Sequence, residues 1–252
     1  MHNVFGLIGF PLGHSFSRKF FTEKFAAEAI DAEYLNFEIP DAKMLLDVVR
    51  ENNELKGLNC TIPHKQAIIP MLDEMSDEAR RIGAVNVIKI SRRKGKNGAF
   101  RLKGYNSDII GFKNSIRPLL KPHHRKALVL GTGGASKAIC LGLTQLGLEW
   151  KYVSRRPAEG QFTYDDLTPE LLTKYTVIVN CSPVGMFPKV DDCPALPYEA
   201  LTSQHLLYDL VYNPLETTFM KRGAQQGATT KNGLEMLHLQ AIASWEFWNA
   251  ED

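Results

Sequence analysis

The chain has 252 residues, 44% of them hydrophobic and 23% charged, with a formal net charge of +2. That length supports one or two domains with a substantial core, and so small a basic excess excludes a polyanion-binding face. The one basic cluster, SRRKGKNG at 91–98, reads as a solvated hairpin tip. The four cysteines, Cys60, Cys140, Cys181 and Cys193, form no CxxC pair and no metal-like spacing with the histidines. The opening MHNVFGLIGF lacks the pattern of a signal peptide, and no apolar run is long enough for a bilayer. These features lead us to expect a soluble protein of a reducing cytoplasm, without bound metal, nucleic acid or membrane partner.

In chain order, NVFGLIG reads as a strand and SRKFFTEKFAAEAI as a helix with Phe20, Phe21, Phe25 and Ala29 near one face. AEYLNFEI is a strand, and DAKMLLDVVREN a helix capped by Asp41. LKGLNCTI is a strand, HKQAIIPML a short helix and SDEARRIGA a helical turn. VNVIKI and AFRLKGY form the hairpin. DIIGFKNSIRPLL is a helix stopped by prolines. KALVLGTGGASKAICLGLTQLG is strand, glycine turn and helix, followed by strands at EWKYVSRR, TVIVN and LLYDLVY. GLEMLHLQAIASWEFWNA is an amphipathic helix whose aromatic residues suit core packing. The pattern predicts an α/β chain with mostly parallel sheet.

The glycine turn carries the clearest local signal. An apolar strand runs into Gly131-Thr132-Gly133-Gly134, and a helix is expected to start at Ala135 or Ser136. Glycines there allow a tight turn and bring backbone N–H groups near a pyrophosphate, which the helix dipole also favours. A plain strand–helix turn has the same appearance. The next strand ends in Ser154-Arg155-Arg156, where NAD-binding folds place an acid for the ribose 2′-hydroxyl. A guanidinium instead suits a 2′-phosphate by charge and forked hydrogen bonds, so NADP is the expected cofactor. The competing reading makes both arginines solvated loop residues.

Polar residues gather where strands end: Ser15 and Ser17, Asn59 and Thr61 beside Lys65, Asn86, and Asp108. Open α/β sheets bind ligands at such places. Each also has a local explanation, with Ser17 and Asp108 as helix caps and Asn86 as a turn residue.

Taken together, the stretches GxPxxHSxS (9–17), NCTIPHK (59–65), GAVN (83–86), NSD (106–108), GTGGAS (131–136), NCSPVGM (180–186), DLVYNPLETTF (209–219) and NGLEMLHLQA (232–241) form a pattern. In order and spacing the chain resembles the shikimate dehydrogenase (shikimate/quinate dehydrogenase) family over almost its full length. The resemblance implies reversible reduction of 3-dehydroshikimate to shikimate with NADPH, a step toward chorismate and the aromatic amino acids. It also implies two domains: an N-terminal α/β substrate domain (1–107) and a Rossmann-like NADP domain (108–231). C-terminal helices (232–252) would pack back on the first. Shikimate would be held by Ser15, Ser17, Asn59, Thr61, Asn86, Asp108, Tyr212 and Gln240. NADP would be held by Gly131, Thr132, Gly133, Gly134, Ala135, Ser136, Ser154, Arg155 and Arg156, with Leu210 and Gly233 at the nicotinamide end and Asp77 as a further contact.

Hydride addition to a ketone leaves negative charge on oxygen, which calls for a proton or a cation there. Lys65 and Asp108 are therefore the expected acid–base pair. The chain departs from the family pattern at Arg18, where proline is common, at Val87 in place of threonine, and at Ser154 and Arg156 in the motif after the second strand. A quinate/shikimate dehydrogenase of relaxed specificity, a non-catalytic NADP-responsive binding protein, and a monomer or a homodimer all remain compatible with the sequence.

Overall fold

Strands that alternate with helices bury both sheet faces only in a layered arrangement, and the chain builds two such layers. The computed structural model of the protein describes residues 2–13, 16–92, 99–156 and 158–251. Residues 1–107 with 241–252 form one compact unit and residues 108–240 the other.

In the first unit β1 (Asn3–Gly9), α1 (Phe16–Ala27) and β2 (Ala32–Glu38) form a βαβ motif. After them come α2 (Leu45–Glu51), β3 (Leu55–Cys60), β4 (Glu74–Met75), α3 (Asp77–Ile82), β5 (Val87–Arg92) and β6 (Phe100–Tyr105). The sheet order is β2-β1-β3-β5-β6-β4. β1 runs parallel to β2 and β3, whereas β5 is antiparallel to β3 and β6, so the sheet is mixed. The β5–β6 pairing makes the expected hairpin, whose tip at 93–98 lies outside the described residues. One apolar cluster gathers Ile8, Leu45, Val49, Leu55, Leu58 and Ile88, and another gathers Phe5, Phe21, Phe25, Tyr34 and Trp248. Fully burying each such side chain contributes roughly 1.5–3 kcal/mol. Trp248 stacks on Phe5 at 4.9 Å between centroids and donates from Nε1 to the Ile88 carbonyl at 3.1 Å. The C-terminal aromatics are thus core.

Two local expectations change. HKQAIIPML is not an α-helix: only Ile69–Met71 form a 3-10 turn. Pro70 lacks an N–H and cannot sit inside a continuing helix. Ala29 is exposed at φ 51, because α1 ends at Ala27 and the chain turns toward β2.

The second unit comprises α4 (Asp108–Ile116), β7 (Lys126–Leu130), α5 (Gly134–Gln145), β8 (Glu149–Ser154), β9 (Phe162–Thr163), α6 (Pro169–Leu172), β10 (Val177–Asn180), β11 (Leu206–Asp209), α7 (Thr218–Gln225), β12 (Thr229–Lys231) and the start of α8 (Leu234–Asn249). Its sheet order is β12-β11-β10-β7-β8-β9, every neighbouring pair parallel. Counted from β7, this is the Rossmann order 3-2-1-4-5-6, whose direction of winding reverses between β7 and β10. The expected boundary of this domain is residue 231. The unit runs to Gln240 because the first turns of α8 pack on α4, where a Cβ on Gly111 would lie 2.5 Å from the Met236 carbonyl. Among the described residues no helix is long and apolar enough to cross a membrane.

Candidate active site

The parallel register of β1, β2 and β3 brings Gly9 opposite Glu38 and Ile8 opposite Cys60, so these strands end together. At the end of β3 the Asn59 side chain is held on three sides. Its Oδ1 accepts from the Tyr34 hydroxyl at 2.8 Å, while Nδ2 donates to Ser244 Oγ at 2.9 Å and to the Asn86 carbonyl at 3.4 Å. Ser17, in the first turn of α1, hydrogen-bonds the same Tyr34 hydroxyl. Burial holds the Tyr34 phenol well above its usual range, so it stays a neutral donor.

The network continues beyond Ser244. Ser244 Oγ lies 3.3 Å from Ser107 Oγ, which accepts from Asn86 Nδ2 at 3.1 Å. Asn86 Oδ1 in turn accepts the Ser107 backbone N–H at 2.7 Å. Ser17, Asn59 and Asn86, expected at the substrate site from sequence, are therefore joined through Tyr34, Ser107 and Ser244. With both amide hydrogens of Asn59 engaged, what its side chain offers a ligand is the second lone pair of Oδ1, an acceptor for a hydroxyl.

Thr61 donates its N–H to the Ile8 carbonyl at 3.0 Å and rests its methyl on Gly9, where a Cβ would be 2.5 Å away. Lys65 is half-buried, and its carbonyl accepts from Val85 N at 2.8 Å, which ties it to the GAVN segment. Asp108 is buried at the first position of α4, directly after Ser107. The Asn86–Ser107 bonds thus fix the chain at the residue before it. Gln240 belongs to the second unit in α8, half-buried, and Tyr212 is exposed in the loop after β11. Ser15 lies outside the described residues. Asp77 is exposed in the first turn of α3, where its charge suits the helix N-terminus. His64 is buried with Nε2 2.7 Å from the Ile39 carbonyl.

In the second unit a cleft of about 340 Å³ opens at the carboxyl ends of β7 and β10, the point where the winding reverses. Gly131, Thr132 and Gly133 form one wall, Ser154, Arg155 and Tyr164 another, and 181–184 a third. Gly131 adopts φ 98, in the left-handed region glycine favours, and a Cβ there would meet Ser182 at 3.4 Å. A Cβ on Gly133 or Gly134 would meet nothing within 4 Å, so packing within the protein does not demand these glycines. The helix α5 begins at Gly134 with no side chain capping it, leaving first-turn N–H groups for an anion. A pyrophosphate at this helix end and a 2′-phosphate at Arg155 fit the donor set.

Ser136 is fully buried and turns its hydroxyl back to the Gly133 carbonyl at 2.7 Å, so its contribution is close packing of α5 on β8. Ser154 Oγ accepts from Arg156 N at 3.3 Å, shaping the turn that carries both arginines. Leu210 and Gly233 are brought together: a Cβ on Gly233 would lie 2.2 Å from the Leu210 carbonyl. Tyr34 and Ser244 in the network and Tyr164 and Ser182 in the cleft are not among the residues expected from the sequence. Ser182 sat in a quoted motif, but Tyr34 and Ser244 lie in apolar runs that gave no polar signal.

The substrate-binding domain model of shikimate dehydrogenase matches residues 7–88. A protein of Desulforamulus reducens named shikimate dehydrogenase (NADP(+)) is 34% identical, the match covering 97% of this chain and 89% of that one. The crystal structure of Thermus thermophilus shikimate 5-dehydrogenase with NADP(H) and shikimate is similar at TM-score 0.83 and 29% identity, over 98% of this chain and 93% of that one. The ligand-free 5-ketofructose reductase of Gluconobacter sp. strain CHM43 is similar at TM-score 0.84 and 27% identity, over 100% and 94%. Near-complete alignment at this identity, on this pair of sheets, means that the chain belongs to the shikimate dehydrogenase family.

Proposed function

We propose that the protein reversibly reduces 3-dehydroshikimate to shikimate with NADPH. One observation carries the reading: a chain that matches a shikimate dehydrogenase (NADP(+)) over 97% of its length also has Lys65, Asp108 and an arginine pair after β8 in place of an acid. In this reading most of the ring contacts come from the first unit, and Asp108, Tyr212 and Gln240 come from the second. Ser15 and Ser17 take the carboxylate, with Tyr212 nearby, while Asn59, Thr61, Asn86, Asp108 and Gln240 fix the ring oxygens. NADP(H) is held at 131–136 and 154–156, with Leu210 and Gly233 at the nicotinamide end and Asp77, a residue of the first unit, as a further contact.

When bound, NADPH supplies the hydride that adds to the keto carbon. The charge left on oxygen needs a proton, which the Lys65 ammonium delivers; in the reverse direction the lysine takes it back. Asp108 accepts a hydrogen bond from the reacting hydroxyl and steadies the ammonium. The lone pair left on Asn59 Oδ1 supports recognition of a hydroxyl rather than a carbonyl, since a second acceptor there would be repelled. The four cysteines, with no CxxC pair among them, support a reducing compartment, the cytoplasm.

The test is a set of initial rates with shikimate and quinate against NADP+ and NAD+. Shikimate with NADP+ is expected to exceed shikimate with NAD+ in kcat/KM by about tenfold or more, the size expected when a charged 2′-phosphate contact is present or absent. NADP+ binding without turnover in any pairing would overturn the enzymatic reading in favour of a binding protein.

A further inference from the structure

A buried carboxylate is costly unless donors converge on it. Asp209, the last residue of β11, has no exposed surface, and none of the roles above uses it. Its Oδ1 accepts from Asn180 Nδ2 and from Val211 N, each at 3.0 Å, and its Oδ2 accepts the Thr217 hydroxyl at 2.6 Å. Thr217 is itself buried and also accepts from Met220 N at 3.4 Å as the cap of α7. Burial raises the Asp209 carboxyl from 3.8 to about 6, with all three donors pulling it down. The group is therefore mostly charged near neutrality.

The orientation of Asn180 rests on this carboxylate together with the Val184 carbonyl, which Nδ2 also meets at 3.3 Å. An amide is nearly symmetric in shape, so its direction is set by its partners. With Nδ2 drawn to Asp209, Asn180 Oδ1 faces the other way and accepts from both Ser182 Oγ at 2.7 Å and Ser182 N at 3.1 Å. Ser182 lines the cleft opposite the glycine turn, 3.4 Å from where a Gly131 Cβ would lie. On its other side Asp209 fixes Val211 N, the start of the loop that follows Leu210.

We infer that Asp209 is a positioning residue for the dinucleotide, acting through Asn180 on Ser182 and through Val211 on the Leu210 loop, so that one buried carboxylate sets two walls of the cofactor cleft. The inference rests on the NADP reading of that cleft and deepens it. An asparagine would keep the Oδ1 acceptor for Asn180 and Val211 while presenting N–H to Thr217. An alanine loses both arms and leaves Asn180 Nδ2 with only its longer bond to the Val184 carbonyl at 3.3 Å, so the amide that holds Ser182 loses its firmest anchor.

The experiment is a double-mutant cycle read as the NADPH dissociation constant by fluorescence titration. Circular dichroism and the shikimate KM are measured alongside on Asp209→Ala, Asp209→Asn, Ser182→Ala and the Asp209→Ala/Ser182→Ala pair. Asp209→Ala is expected to weaken NADPH binding about tenfold, the scale of one lost buried hydrogen-bonding partner, with the shikimate KM little moved. Asp209→Asn should weaken it less, and the pair should be no weaker than Asp209→Ala alone, since both remove one relay. An unchanged dissociation constant in folded Asp209→Ala, or losses that simply multiply in the pair, would overturn the inference. If Asp209→Ala does not fold, Asp209→Asn with Ser182→Ala runs the same cycle, and multiplied losses again refute it. Absence of NADPH binding by the wild type would instead refute the cofactor reading beneath it.

Discussion

The two sheets solve the problem of holding a ligand in different ways. The all-parallel sheet ends β7 in a turn whose glycines 133 and 134 meet no neighbour and whose helix start is uncapped, so what it offers is backbone N–H groups. The mixed sheet offers side chains: Ser17, Tyr34, Asn59, Asn86, Ser107 and Ser244 come from separate strands, loops and helices and meet only after folding. A backbone site tolerates change in almost every side chain except glycine, whereas a side-chain network fails when any one member is lost. The glycine turn therefore suits any dinucleotide, with Arg155 beside it as the side chain that would tell one cofactor from another, whereas the network of the mixed sheet depends on every member.

That contrast breaks most visibly at Lys65. Lys65→Met is expected to lower kcat by ~10²–10⁴, the range of a lost acid–base catalyst, with little change in the shikimate KM. Steady-state assays in both directions decide it, and a near-normal kcat removes the lysine from the chemistry. Glycines sharpen the comparison next. Gly57→Ala puts a Cβ 2.3 Å from Trp248 Cδ1 and is expected to cost roughly 1–3 kcal/mol of stability as overpacking. Gly133→Ala meets nothing within 4 Å at an extended φ of −70 and should leave the melting temperature alone while weakening NADP+ binding. Thermal melts and calorimetric titration of the two variants would show opposite profiles.

A smaller effect follows from Asp209. Its folded carboxyl is raised to about 6, so the folded protein binds this proton more tightly than the unfolded chain does. The contribution to stability therefore falls as pH rises through that range and levels off above it. Relative to Asp209→Asn, the wild type should lose about 2 kcal/mol between about pH 4.5 and about pH 7, by the usual conversion of a pKa shift. Urea midpoints across pH measure it, and parallel curves for the two proteins would contradict it.

The same contrast explains what was legible before the fold was known. The β7–α5 turn is a local motif, and Gly131, Gly133 and Arg155 line the cleft beside it. Helices α1, α4 and α5 followed from apolar spacing, because each buries one face, and the principal strands from short apolar runs, because β1, β7, β10 and β11 are buried on both faces. Short elements such as β4, β9 and β12 span only two or three residues and are made by pairing, which leaves no periodic trace. The stretch after Lys65 looked helical until Pro70 was given its weight. Tyr34 and Ser244 were hidden for a different reason. Tyr34 faces inward among aromatics in β2, and Ser244 is buried in α8 between Ala243 and Trp245, so each reads as core until its hydroxyl is seen bonded to Asn59 or within reach of it.

The most direct test of the division between the units is the pair of Michaelis constants measured on Tyr34→Phe and Arg155→Ala. Tyr34→Phe removes one buried hydrogen bond to Asn59, worth roughly 1 kcal/mol, and should raise the shikimate KM about fivefold with the NADP+ KM unchanged. Arg155→Ala should raise the NADP+ KM about tenfold or more by removing a charge-assisted contact, leaving the shikimate KM and the NAD+ KM close to wild type. Crossed effects of that kind are what the account predicts; equal rises in both constants for either variant would contradict it.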